Sequence, residues 1–219
     1  MIEYDESEMS PFDLVALEEL LESFGRRDLV CLEIGSWFGA GSTQLIAKYA
    51  KTLVCVDHWK GNDTDHHIEV VSEINVFERF RQNVRPFGDV IVPMMGNSET
   101  VCSLLADGTF DFAFIDGDHR YAPMVAELRT TKRLVREGGM LCGHDCEGRV
   151  DADNIAFMEA NEEVDHVDSI YTNFRHCHPG VIRAVHEEVG RANLYAEAPL
   201  VVDGRKGCSS IWWKKMHSE

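Results

Sequence analysis

The chain has 219 residues, 44% of them hydrophobic, and a formal net charge of −17. That size suits one domain with a substantial core, and so negative a surface repels a polyanion, which argues against a nucleic-acid partner. No apolar run is long enough to suggest a membrane span. The acidic start lacks the apolar core of a signal peptide, so the seven cysteines read as reduced thiols in a cytoplasmic protein. The spacing predicts a lead-in helix over 10–25, with Ser10 as N-cap, Pro11 first in the helix, and Leu14, Leu17, Leu20 and Leu21 as its apolar stripe. Strands are expected at 29–34, 52–56, 89–95, 110–115 and 139–143, with helices at 42–50, 98–105 and 121–135 between them. Apolar strands alternating with helices imply a parallel sheet covered on both faces, an α/β architecture of three layers. Past residue 150 the alternation stops. A helix is expected at 179–189, then strands at 194–202 and 208–213 joined by the turn D-G-R-K-G, an antiparallel edge hairpin with a surface suited to a homodimer. The whole of 1–219 reads as a single domain.

The stretch LEIGSWFGAGST, residues 32–43, places Gly35, Gly39 and Gly41 directly after the first strand. Glycines there let another group approach the backbone closely. Their spacing is not G-x-G-x-x-G, so the pyrophosphate fingerprint of a nicotinamide-dependent oxidoreductase is missing. Glu33 would repel a phosphate and suits a cationic ligand. Asp57 closes the second strand, where an acid accepts hydrogen bonds from ribose hydroxyls. A ribose with a positive charge and no phosphate describes S-adenosylmethionine.

With these residues in view, LEIGSWFGAGST resembles motif I of class I S-adenosylmethionine-dependent methyltransferases, and VCVDHWKGN (54–62) is similar to their second motif. GNSET (96–100), FAFIDGDHRY (112–121), GGMLCGHDC (138–146), HPGVIRAVHE (178–187) and SSIWWKK (209–215) resemble one branch of that family. The branch holds catechol-type and natural-product sugar O-methyltransferases. The resemblance implies a Rossmann-like methyltransferase sheet, mostly parallel, and a small hydroxylated acceptor. It implies cofactor contacts from Glu33, Gly35, Ser36, Gly39, Asp57, Asn97, Ser98 and Asp116. The Ala40-Gly41 pair before Ser42 departs from the single residue common in the family.

Methyl transfer from a sulfonium needs an oriented acceptor oxygen and a destination for its proton. Asp116, Asp118 and His119 follow the fourth strand, and His144 and Asp145 follow the fifth. Carboxylates there suit Mg²⁺. The resemblance places a metal on Asp116, His144 and Asp145. The imidazole among them favours Mn²⁺, Fe²⁺ or Zn²⁺ over Mg²⁺, and a metal-free site with His144 as base is the alternative. His119 stands where the branch has its proton acceptor, against a plainer role capping a carbonyl. His176-Cys177-His178 reads as a loop rather than a zinc site, since no C-x₂-C pair accompanies it. The loops at 58–76 and 147–178 are where acceptor specificity is expected. The readings in competition are a catalytically silent S-adenosylmethionine-binding module and the oxidoreductase.

Overall fold

The computed structural model describes residues 6–62 and 64–217. The first half of the chain runs α1 (Pro11–Glu22), β1 (Leu29–Ile34), α2 (Ser42–Ala47), β2 (Ala50–Asp57), α3 (Asp65–Glu73), α4 (Val76–Val84), β3 (Ile91–Met95), α5 (Ser98–Ser103) and β4 (Phe110–Ile115). It continues with α6 (Tyr121–Leu134), β5 (Val135–Gly143), α7 (Ile155–Ala160), β6 (Val167–Asp168), β7 (His176–Cys177) and α8 (Pro179–Glu188). The end of the chain adds β8 (Asn193–Leu194), β9 (Leu200–Val202), β10 (Arg205–Gly207) and β11 (Trp212–Lys215).

Seven strands form one sheet in the order β3-β2-β1-β4-β5-β11-β8. The first five are mutually parallel, and β11 runs antiparallel to both β5 and β8. Chain order reverses between β1 and β4, so the crevice at their carboxyl ends is where such a sheet binds ligands. The central strands are buried because alternate residues serve two cores. Cys31, Phe112 and Phe114 pack on the face that carries α1, with Leu17, Leu20 and Leu21. Leu32, Ile34, Ala113 and Ile115 pack on the opposite face with Met124 and Leu128 of α6 and Ile182 of α8. Truncating a wholly buried Phe112 or Phe114 to alanine costs about 3–5 kcal/mol.

The lead-in helix begins as expected. Ser10 and Asp13 cap it reciprocally, with Asp13 N–H donating to Ser10 Oγ at 3.2 Å and Ser10 N–H to Asp13 Oδ2 at 3.1 Å. It ends at Glu22, short of Gly25, because Phe24 and Gly25 close a tighter turn on Leu21 and Glu22. Asp13 is 6% exposed, and its Oδ1 accepts the Ser210 N–H at 3.0 Å, tying the helix to the approach of β11.

The antiparallel edge is built differently from the sequence expectation. The D-G turn does not join two strands of the main sheet. Asp203 and Gly204, both at positive φ, close a separate hairpin in which Val202 faces Arg205. A two-residue turn of that kind fixes its own register, so β9 and β10 pair with each other alone. The sheet edge is instead β11 beside the short β8. Among the described residues no helix is long and apolar enough to cross a membrane, and the seven cysteines are free thiols.

Candidate active site

The turn after β1 is pinned from below. Gly35 has φ +83°, and a Cβ there would collide with the Asp116 carbonyl at the end of β4. Gly35 N–H donates to Val56 O at 3.0 Å, and Asp116 N–H to Ile34 O at 2.8 Å, so the ends of β1, β2 and β4 are locked together. At Gly39 a Cβ would lie 2.6 Å from the Phe80 ring and 2.7 Å from Val84, and at Gly41 it would lie 2.7 Å from Ser7 Oγ. The groups that approach these two glycines belong to the protein itself, to α4 and the segment before α1. Gly39 accordingly lies off the lining of the neighbouring cavity, whereas Gly35 and Ser36 are part of it.

Glu33 also lies off that lining. It is wholly buried under the turn, where Oε2 accepts Ser36 Oγ at 2.7 Å and Thr43 Oγ1 at 2.6 Å, and Oε1 has no partner. Burial pushes its carboxyl up to about 7 despite the Thr43, Ser36 and Ser42 hydroxyls. The Ser-Thr pair that opens α2 therefore serves this acid.

Asp57 is at the cavity. The Trp37 N–H donates to its Oδ2 at 2.7 Å and the Trp59 N–H to its Oδ1 at 2.6 Å. Both tryptophans hold positive φ, 42° and 53°, a costly conformation for bulky residues, and the two bonds fix the carboxylate in place. Each oxygen keeps a lone pair for a further donor. The cavity, about 470 Å³, runs from Glu6 and Ser36 past Asp57 to Asn97, Ser98 and Glu127, and along Asp116, Asp118 and His119. Asn97 caps α5 by accepting the Thr100 N–H at 3.2 Å. Ser98 Oγ donates to Glu127 Oε1 at 2.7 Å. Glu127 is 5% exposed, and its Oε2 has no partner.

Behind Asp116 and His119, which line the cavity, lies a cluster of carboxylates and imidazoles whose other members, Asp145, Glu147, Asp165 and His178, are off the lining. His119 Nε2 lies 3.1 Å from Asp145 Oδ2 and 3.7 Å from Asp116 Oδ1, and its Nδ1 is 2.8 Å from Asp165 Oδ1. Burial alone would lower the His119 pKa. Asp145, Asp116 and Asp165 more than offset burial and hold it well above the usual histidine value. His178 Nδ1 lies 2.6 Å from Glu147 Oε1 and 3.5 Å from Asp145 Oδ1. Burial opposes the charge on Asp145, yet His144, His178 and His119 hold its carboxyl well below the usual range. His144 bridges two sides. Its Nδ1 is 3.3 Å from Asp145 Oδ1 and 3.6 Å from Asp116 Oδ1, and its Nε2 looks toward Asp13 Oδ2 at 3.3 Å, an ion-pair distance without hydrogen-bond alignment. His144 is off the cavity lining.

Among the described residues, three sets of groups bring their ligand atoms within 4.8 Å of one another: Asp116–His119–Asp145, His119–Asp165–His178 and Asp145–Glu147–His178. His119 stands beside Asp116 and Asp145 in the first set, and His144 Nδ1 also lies near both, 3.6 Å from Asp116 Oδ1 and 3.3 Å from Asp145 Oδ1. The methyltransferase domain family matches residues 32–146, more than half of the chain. The chain belongs to that family.

This methyltransferase domain is 28% identical over 135 residues to the uncharacterized protein R132 of Acanthamoeba polyphaga mimivirus, a stretch covering 59% of this chain and 57% of that protein. Its fold is similar to that of the cofactor-bound Rv0187 from MTB, with a TM-score of 0.58, 18% identity, and coverage of 98% of this chain and 86% of that one. It is also similar to the O-methyltransferase from Bacillus cereus in complex with SAH, with a TM-score of 0.54, 22% identity, and coverage of 94% and 82%. The family match contains Asp57, Asp116, His119, Glu127 and Asp145, and ends before Asp165 and His178. Sequence reasoning missed Glu127, Asp165, Glu147 and Asp13. Glu127 stands on the same helix as Val125 and Leu128, whose apolar spacing gave the only signal there. Asp165 lies in an irregular segment with no motif, and its meeting with His119 depends on how that segment folds back.

Proposed function

We propose that this methyltransferase domain transfers the methyl group of S-adenosylmethionine to the hydroxyl of a small acceptor. The observation that carries this reading is one continuous cavity joining a fixed acid at the end of β2, Asp57, to the Asp116–His119 floor at the end of β4. The two oxygens of Asp57 accept the ribose hydroxyls, and the Gly35–Ser36 turn meets the methionine end. Glu33 acts at one remove, holding that turn through Ser36 and Thr43. When bound, the cofactor supplies an electrophilic methyl, which needs no activation by the protein beyond orientation.

His119 Nε2 receives the proton of the acceptor hydroxyl. Its flanking carboxylates raise its proton affinity, so it starts charged near neutral pH, and the free base becomes available as pH rises. Asp165 fixes the ring through Nδ1. His144, turned to Asp13, positions Asp145. The same Nε2 with the carboxylates of Asp116 and Asp145 fits a divalent cation, Mn²⁺ better than Mg²⁺; with it bound, His119 would be a ligand instead of the base, and the cation would supply Lewis acidity that lowers the pKa of the acceptor hydroxyl.

Labelled S-adenosylmethionine incubated with a panel of sugars and phenols, with and without EDTA, tests the reading. Label on an acceptor oxygen is the expected result, and its loss with EDTA assigns the cation a part. Cofactor binding with no transfer to any member of the panel supports the silent binding module instead.

A further inference from the structure

The mechanism above leaves one buried acid at the cavity without a task. Glu127, in the second turn of α6, is 5% exposed and lines the cavity end that also has Gly96, Asn97, Ser98, Pro123 and Ala126. Those neighbours carry no charge, and most are small; the charged groups that act on Glu127 are Asp118, His119 and Asp57, elsewhere on the same lining. Its Oε1 already accepts the Ser98 hydroxyl at 2.7 Å, while Oε2 is buried with no donor. The carboxylate sits close under Gly117, where a Cβ would lie 2.7 Å from both oxygens, so the lack of a side chain at 117 is what admits it. A buried carboxylate oxygen without a partner is costly, and natural interiors seldom keep one. Burial pushes this carboxyl up to about 7 against the opposing Ser98 hydroxyl, so it is ionised at about pH 8 and above. A ligand that brings one more donor would complete the site.

We infer that Glu127 selects the base of the bound nucleoside, its free Oε2 accepting a hydrogen bond from the 6-amino group of adenine. This rests on the nucleoside reading above and deepens it. A 6-amino purine offers N–H at that edge. A 6-oxo purine offers a carbonyl oxygen, which would face the carboxylate with no proton between them. Rejection of a ligand that lacks a needed donor is strong because the buried acceptor is left unpaired. The adenine edge is therefore read by a side chain of α6, and Ser98 at the start of α5 acts by holding Glu127 in place.

The experiment is titration calorimetry at about pH 8.5, where Glu127 is ionised, of S-adenosyl-L-homocysteine and its deaminated analogue S-inosyl-L-homocysteine, on the full chain and on Glu127→Gln. The wild type is expected to prefer the adenine compound by about tenfold to a hundredfold. Glutamine is nearly isosteric and turns a donor toward the ligand, so in Glu127→Gln the preference falls below about threefold or reverses, with the inosine compound bound at least as tightly as by the wild type. The wild-type comparison needs no variant, so it stands even where Glu127→Gln fails to fold. Equal affinity of the wild type for both compounds overturns the inference and leaves the nucleoside reading intact. A folded Glu127→Gln that keeps the full adenine preference overturns it as well. Binding of neither compound by the wild type removes the nucleoside reading, and this inference with it.

Discussion

The carboxylates at and behind the two ends of the cavity are partnered in opposite ways. At the β2–β3 end, Asp57 and Glu127 meet neutral donors: two backbone N–H groups and a serine hydroxyl. At the β4–β5 end, Asp116, Asp145 and Asp165 meet imidazoles that gain or lose a proton. Neutral donors fix a carboxylate in one place and leave a lone pair to offer, an arrangement suited to holding a ligand. Titratable partners store a proton within reach of a reacting oxygen, an arrangement suited to turnover. On the proposed function the contrast gives binding to one end and proton transfer to the other, and substitutions that act on one end only can break it.

The largest effect is expected from His119→Gln. The transfer rate should fall by about 10²–10⁴-fold while affinity for S-adenosylhomocysteine, read by calorimetry, stays within about threefold. A matching loss of affinity would mean that the two ends are not separable. Asp57→Ala comes next. It removes the ribose acceptor and leaves the Trp37 and Trp59 N–H groups unpaired, and cofactor affinity should drop by about a hundredfold. Undiminished affinity would remove Asp57 from the site.

Asp165→Asn is a smaller change that sharpens the comparison. It withdraws one of the carboxylates that raise the His119 proton affinity, so the rising limb of the rate–pH profile should move to lower pH, with the maximal rate down by about tenfold. An unmoved limb would detach Asp165 from His119. The smallest effect on turnover is expected from Glu33→Gln, whose signature lies in stability. The folded-state value of Glu33 is raised to about 7 from 4.5, so its contribution is fully present below the lower value and is lost as pH rises through the upper one. Denaturant melts from about pH 5 to about pH 8 should show the wild type losing on the order of 3 kcal/mol relative to Glu33→Gln. Parallel stability curves would contradict the burial argument.

The sheet was legible because β1 and β4 are apolar but for one acid each, Glu33 and Asp111, and a strand covered on both faces has that pattern without a polar period. Asp116 after β4 and Asp57 at the end of β2 were legible for a related reason, since an apolar strand that stops in a carboxylate marks the rim of the sheet. The glycine turn was legible as a place of close approach, but the approaching groups at Gly39 and Gly41 come from Phe80, Val84 and Ser7, and no local pattern announces them. The D-G turn was read as a turn, yet sequence spacing does not say which strands a turn joins, and β9 and β10 closed on each other. Asp165 and Glu127 were out of reach because their function depends on an unfilled or bridging hydrogen bond, a property of distance in space rather than distance along the chain.

The most direct test of the account is calorimetric titration of the wild-type chain with S-adenosylmethionine, repeated with NAD and with ATP. The account predicts saturable binding of S-adenosylmethionine at one site, displaced by S-adenosylhomocysteine, and no heat from either phosphate-bearing nucleotide. Binding of NAD or ATP in the absence of any response to S-adenosylmethionine would contradict it.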